Sequence, residues 1–247
     1  MKKPTAMILI VLVLSALAAV PAAGQTAKDV LSKMIEAQGG RKYLSTIKDS
    51  TTTGNLVINQ MGMEITGTLT IYQKEPNKMR MDMDLSSVGI FMSQGYDGQQ
   101  AWSTNPQTGI VEEMPPDQAL DFSRQAMGLE YTLHPEKYNI TYELKPKAAI
   151  DGKEYFVLDT ILADGFKITQ YVDPATYLTY KSEMMGLEMT GATVKTEQFF
   201  SDYKKVGQGM VSHSLRVLQD GTEFLTMTIT NVTYNSGHED SLFAMNK

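Results

Sequence analysis

Few residues of this chain are of the types that do covalent or metal chemistry, and none is spaced for it. His134, His213 and His238 are its three histidines, and cysteine is absent. Zinc needs three or four nitrogen or sulfur ligands brought together, typically as closely spaced pairs, and no such pairs occur. Ser212-His213-Ser214 sets hydroxyls beside an imidazole. Neighbouring side chains of a strand point to opposite faces, so this adjacency does not activate a nucleophile. No Gly-x-Ser-x-Gly elbow is present either. Asp82 and Asp84 share a strand face, as the carboxylates of an acid–base pair must. They lie on the polar side of an amphipathic strand, where solvated charge is the simpler reading. Asn139-Ile-Thr141 and Asn231-Val-Thr233 match the glycosylation pattern, which carries weight only in a eukaryotic secretory pathway. The residues therefore predict no enzyme, no metal and no cofactor.

Methionine carries more information. The chain has 17, and Met79, Met81 and Met83 alternate with Arg80, Asp82 and Asp84. A strand with that alternation has one apolar and one polar face. The preceding strand repeats it, with Met63, Ile65, Leu69 and Ile71 against Glu64, Thr66, Thr68 and Thr70. Met61, Met92, Met127, Met184 and Met189 are expected to extend the apolar face. An unbranched, polarisable side chain re-packs around variable partners, so a methionine-rich surface suits adaptable apolar binding as well as dry packing. Trp102, the single tryptophan, follows a Gly-Tyr-Asp-Gly turn and reads either as a core anchor or as a ligand-stacking residue.

These residues are positioned by helices and hairpins. Thr26 is the expected N-cap of a first helix with Val30, Leu31, Met34 and Ile35 on its apolar stripe, ending at Gly39-Gly40, with a helical turn around Tyr43 to Ile47. Strands are predicted at roughly 51–60, 63–73, 78–86, 88–96, 99–104 and 109–114, divided by turn signals such as Glu75-Pro76-Asn77 and Asp97-Gly98. Pro115-Pro116 opens a second helix to about Leu129, whose apolar side includes Ala119, Leu120, Phe122, Ala126 and Met127. Further strands are predicted at roughly 138–146, 153–162, 166–173, 176–184, 191–203, 210–218 and 223–233. Hairpins in series interrupted by one helix predict a mainly β chain, a single curved antiparallel sheet with helices over its inner face. The second helix is expected to lie across the mouth of that sheet as a lid.

Lys2 and Lys3, the apolar run to Val20 and the small residues after it have the order of a secretory signal peptide, with cleavage expected after Gly24. Without cysteine there is no site for a lipobox anchor and no disulfide. The remainder, 25–247, is expected to be one domain. Loss of the two leader lysines takes the formal charge from −6 to −8, and the remaining cations are scattered. That balance excludes nucleic acid as a partner.

The run Tyr72-Gln-Lys-Glu-Pro-Asn-Lys-Met-Arg80, then Gly95-Tyr-Asp-Gly-Gln-Gln-Ala-Trp102 with Asn105-Pro106, resembles the strand pair and turn of the outer-membrane lipoprotein-sorting (LolA/LolB-like) family. Tyr171-Val-Asp-Pro-Ala-Thr-Tyr-Leu178, Phe200-Ser-Asp-Tyr203 and Thr228-Ile-Thr-Asn231 with Leu242-Phe243 resemble its later strands and terminal turn. The resemblance implies an unclosed half-barrel lidded by helices. It implies a soluble periplasmic carrier of lipid or lipoprotein acyl chains, with an inner-membrane release complex and an outer-membrane acceptor as partners. The other expected use of such a groove is a scaffold or chaperone gripping an apolar segment of a partner protein. The family's best-known carriers place an arginine before the turn proline and an aromatic residue three positions after it; here those positions are Glu75 and Met79. The expected cavity lining is Met63, Ile65, Leu69, Met79, Met81, Met83, Ile90, Met92, Trp102, Leu120, Phe122, Met127 and Met184.

Overall fold

Thr26 opens the first helix by a reciprocal cap: its Oγ1 accepts from the Asp29 N–H at 3.2 Å, and its own N–H donates to Asp29 Oδ2 at 2.9 Å. This launches helix α1, Ala27–Ala37, which ends where Gly39 and Gly40 adopt positive φ. The structure, a computed structural model, describes residues 25–60, 62–187 and 192–245. The expected leader at 1–24, with Met61 and Met189, lies outside them. No helix among the described residues is long and apolar enough to cross a membrane.

After α2, Arg41–Leu44, the chain lays down β1 Asp49–Gln60, β2 Met63–Lys74, β3 Lys78–Leu85, β4 Ile90–Tyr96, β5 Ala101–Thr104 and β6 Val111–Glu113. Helices α3, Pro116–Gln125, and α4, Leu129–Leu133, follow. The second half is β7 Thr141–Ile150, β8 Lys153–Ile161, β9 Lys167–Val172, β10 Thr179–Leu187, β11 Thr193–Val206, β12 Gly209–Gln219 and β13 Thr222–Tyr234. All 13 strands form one antiparallel sheet in the order β6-β5-β4-β3-β2-β1-β13-β12-β11-β10-β9-β8-β7. The meanders therefore meet through β1 and β13, whereas the edges β6 and β7 do not pair. The result is the expected mainly β half-barrel, open rather than closed.

Helices roof its inner face in three places. Val30 and Met34 of α1 bury against Phe156, Leu158 and Val172 of β8 and β9. Phe122 of α3 and the following Ala126 bury with Met79 and Ala101 of β3 and β5. Ile35, Leu44, Ile47 and Leu133 bring α1, α2 and α4 together. A fourth cluster, Leu56, Ile58, Leu69, Leu85 and Met227, is supplied by strands alone.

The outer face carries a strap formed by the segment after β13. Buried Asp49 accepts N–H bonds from Ser236 and Gly237 at 2.6 and 3.0 Å, and Asp240 pairs with Lys74 and Lys78 at 2.8 and 2.9 Å. Those two lysines hold the Asp240 carboxyl down at about 2. Phe243, wholly buried, closes the strap over Trp102.

The sheet departs from expectation at the second helix, predicted as continuous to about Leu129. It stops at Gln125, and a new helix starts after Gly128. The break is imposed from outside the helix. Gly128 N donates to Pro76 O at 2.8 Å, and a Cβ on Gly128 would come within 2.5 Å of the Glu75 carboxylate. Glycine leaves room for the carboxylate there, and any Cβ would make the Glu75 side chain shift.

Candidate functional site

Cross-strand partners share a face, which places each expected lining residue. Met79, Met81 and Met83 pair with Tyr96, Gln94 and Met92 on one side and with Gln73, Ile71 and Leu69 on the other. Since Met79 packs under α3, this whole set is on the inner face. Met184 on β10 pairs with Ile168 and Thr196 and shares the inner face with Ser182 and Gln170, far across the sheet from β3.

Placement on that face does not make these residues a cavity lining. Leu69 is buried in the strand-only cluster, with Ile65, Met83 and Ile90 packed against it. Met79 and Phe122 are buried beneath α3, and Met81 packs against both clusters. Met63 is exposed at a hairpin tip. None of the four cavities described below is bordered by these residues, by Met92 or by Met184. Of the expected lining, Leu120 and Met127 border the empty space. Met81 is half-buried against both clusters, so a carboxylate there would lose part of its hydration among apolar side chains. Met81→Asp is therefore expected to cost about 1–3 kcal/mol of stability, read from urea melts, rather than to remove ligand binding from an intact fold. An unchanged melt would show that the site is looser than this packing.

Trp102 stands on the other face altogether. It pairs with Gly95, which pairs with Arg80, so all three point outward. A Cβ on Gly95 would lie 2.4 Å from the indole, so glycine there lets the ring lie across β4. The indole Nε1 donates to Phe243 O at 2.8 Å, and the Arg80 guanidinium sits 5.7 Å from the ring centroid. Trp102 is thus the anchor of the strap. The period-two pattern gave its face no signal because Ala101 and Trp102 are both buried, one under α3 and one under the strap.

Four cavities lie beneath the helices. A cavity of about 310 Å³ is bordered by Leu44, Ile47, Leu129 and Val232, with Gln38, Ser50, Thr52, Gln73, Thr132 and the acidic residues Asp49 and Glu75 among its polar groups. A second of about 250 Å³ lies against Leu31, Met34, Ile35, Tyr142 and Ile168, and a third of about 240 Å³ against Leu120, Tyr131, Ile140 and Leu162. Met127 borders all three. A fourth, about 230 Å³, lies between Leu44, Leu129, Leu133 and His134. Sequence reasoning missed most of these walls because they are assembled from helices, turns and strands distant in sequence, which no periodicity within one segment brings together.

The roof is tethered at both ends. Arg124 Nη2 is 2.7 Å from Asp164 Oδ2, and its guanidinium lies 4.2 Å over the Phe166 ring, binding the end of α3 to the β8–β9 hairpin. On the other side the Glu75 carboxylate accepts from Leu129 N at 2.7 Å and Glu130 N at 2.9 Å. A carboxylate at a helix N-terminus meets unpaired N–H groups there. Thus Glu75 grips α4 through its backbone, an interaction a guanidinium at this position cannot make. Burial nevertheless raises its pKa, outweighing the two N–H bonds; Glu130 also raises it and Lys48 lowers it.

A carboxyl whose folded pKa lies above its unfolded value binds its proton more tightly when folded. Its ionisation therefore removes stability as pH rises from the unfolded value through the folded one. Glu75→Gln is accordingly expected to flatten the fall in Tm as pH rises from about 4.5 toward neutrality. Parallel melts over that range check it, and equal slopes for the two proteins would assign the pH dependence elsewhere.

The remaining reactive side chains have structural partners. Ser212 Oγ donates to the carbonyls of Ser201 and Ser214, and His213 Nδ1 lies 2.9 Å from Val211 O, so the two are not joined. Asp82, expected to be a solvated charge, instead accepts from Arg80 Nε at 2.9 Å and Ser93 Oγ at 2.6 Å. Asp84 accepts from Ser86 N at 2.8 Å. His238 contacts Thr51 within the strap, and no group of three or more potential metal ligands occurs among the described residues.

No family model matches the sequence, and no curated protein matches it. Solved structures match the fold. A LolA superfamily protein from Nitrosomonas europaea superposes with TM-score 0.62 at 13% identity, over 90% of this chain and 98% of that one. A DUF1329 family protein from Desulfovibrio piger gives 0.61 at 16%, over 90% and 98%. An outer membrane lipoprotein-sorting protein domain from Vibrio parahaemolyticus gives 0.58 at 14%, over 88% and 95%. The fold is LolA-like.

Proposed function

Proceeding from that shared fold, we propose that the chain is a periplasmic carrier, exported by its N-terminal leader, that shelters an acyl chain of a lipid or lipoprotein on its way toward the outer membrane. One observation carries this reading: the half-barrel is roofed rather than filled, and three cavities meet at the single flexible side chain of Met127. Methionine at that junction can swing aside and merge them into one slot. An acyl chain of about 16 carbons gains on the order of 12 kcal/mol on leaving water, at about 0.8 kcal/mol per methylene. A soluble carrier must offset that with apolar lining, to which Leu31, Met34, Leu44, Ile140 and Leu162 contribute. The polar groups at Gln38, Gln73 and Thr132 lie where a headgroup or acyl linkage would need hydrogen bonds. An inner-membrane donor and an outer-membrane acceptor are the partners such a cycle requires.

Native mass spectrometry of protein purified from its own periplasm tests the proposal. Co-purified lipid or acylated protein is the expected result. A bound protein segment without any acyl group would replace the carrier by a scaffold that grips apolar polypeptide, and absence from the periplasm would overturn the localisation.

A further inference from the structure

The cavity of about 310 Å³ is walled in part by polar side chains that the fold leaves without partners. Register sets Ser50 opposite Gln73, Thr52 opposite Ile71 and Gln73 opposite Met79, so Ser50, Thr52 and Gln73 stand on the inner face. Gln38, at the end of α1, and Thr132 of α4 border the same space from the roof. None of these side chains has a hydrogen-bond partner among the described residues, and none of their polar atoms is sealed away, so they open onto the cavity. Hydroxyls and amides both donate and accept, and neither carries charge. A polar group facing an enclosed space costs stability unless something there bonds to it.

Such charge as borders this cavity is negative. Glu75 lies on it with its carboxylate on the Leu129 and Glu130 N–H groups, and Asp49 has both oxygens on the Ser236 and Gly237 N–H groups. No lysine, arginine or histidine among the described residues borders it. Lys48, on the adjoining cavity, is exposed and donates to Ser45 O at 2.9 Å, and Arg124, on the two other cavities, is held by Asp164.

We infer that this cavity holds the polar end of the cargo, that this end is an uncharged ester or amide of the acyl chain, and that free fatty acids and phosphate-headed lipids are excluded. The inference rests on the carrier reading and narrows its cargo. An ester or amide carbonyl accepts from hydroxyls and amide N–H groups, and a neighbouring hydroxyl or N–H donates to their oxygens, so the unpartnered set suits such a linkage in both directions. A carboxylate or phosphate is recognised instead by cations or by converging N–H donors. Here the N–H groups of Leu129 and Glu130 are already taken by Glu75. A second anion would meet the Glu75 carboxylate in an enclosed space, where water screens like charges least. Glu75 thus acts as a specificity residue, by filling the place an anionic headgroup would need. Beyond Met127 the tail has Leu31, Ile140 and Leu162 to lie against.

Displacement of an uncharged fluorescent acyl ester tests this, at about pH 8, where carboxylates are ionised, and below micelle-forming concentrations. Monopalmitoylglycerol stands for a glyceride and an N-palmitoylated neutral peptide amide for acylated protein. Both are expected to displace the probe at concentrations at least about tenfold below those of palmitate and palmitoyl lysophosphatidate. Whichever of the two acts at the lower concentration assigns the linkage. Thr52→Val and Gln73→Leu each remove a group that has no protein partner, so each is expected to weaken the uncharged ligands by about tenfold without lowering the melt. Thr52→Val is nearly isosteric and carries this arm should Gln73→Leu fail to fold. Glu75→Gln is expected to narrow the preference from the other side, by tightening palmitate about tenfold. Equal displacement by charged and uncharged lipids, or a preference unchanged in all of these variants, would overturn the inference while leaving an unselective carrier. A wild type that binds no uncharged acyl probe would remove the carrier reading itself, and this inference with it.

Discussion

Met127→Trp is expected to weaken binding of a fluorescent acyl probe by at least about 100-fold while leaving a cooperative melt. Met127 is the side chain common to the three cavities, and an indole there fills the junction through which they would merge. The added volume enters empty space, so the stability cost stays at the low end of the roughly 1–3 kcal/mol typical of overpacking. Met127→Leu conserves volume and apolarity and is the control, expected to bind within a few-fold of wild type. Probe titration beside circular dichroism melts decides between outcomes. Undiminished binding in Met127→Trp would place the ligand elsewhere and remove the main support for the carrier reading. Loss of the melt would show that this corner is already packed.

Phe243→Ala is expected to be the most destabilising single substitution outside the inner face, by about 3–5 kcal/mol. Phe243 is wholly buried although it lies in a strap with no strand partner, and its carbonyl accepts the Trp102 indole N–H. Removing the ring opens a void over Trp102 and loosens the segment that satisfies Asp49 through Ser236 and Gly237. That loss is a large share of the roughly 5–15 kcal/mol available to a domain. The single tryptophan is its own reporter. Urea titration followed by Trp102 emission should show a shifted midpoint and a red-shifted native baseline. An unshifted midpoint would mean that the strap frays without opening the sheet, so that Trp102 is held by Arg80 and Gly95 alone.

Glu75 shows how sequence and structure divide the information. Its position before Pro76 in a turn was legible, and so was its contrast with the arginine of the best-known lipoprotein carriers. Its task was not, because the N–H groups of Leu129 and Glu130 that it accepts from lie 54 and 55 residues away. The same long-range contact, with Gly128 N bonded to Pro76 O, breaks what reads locally as one helix into two. Met127 was legible as an apolar residue on a helix. That it borders three cavities follows from the break beside it.

By itself the sequence determined the alternation of faces and the order of hairpins. Both are local: a period of two assigns each side chain to a face, and Gly, Pro and Asn mark the turns between strands. From these followed a single curved antiparallel sheet with its helices inside, and the capped first helix at Thr26, whereas its remaining open was implied only by the family resemblance. The tertiary structure alone decided which apolar residues pack and which border empty space. Met79, Met81 and Met83 have the pattern expected of a cavity wall, yet Met79 packs beneath α3 and Met81 and Met83 against the strand cluster, while the cavities lie under the corner between α3 and α4. It alone put Trp102 outside, since the strap that buries it returns 141 residues later. The physical reason is common to both. Alternation reports that a face is apolar, but whether that face is met by a helix, by the chain terminus or by nothing depends on contacts between segments distant in sequence.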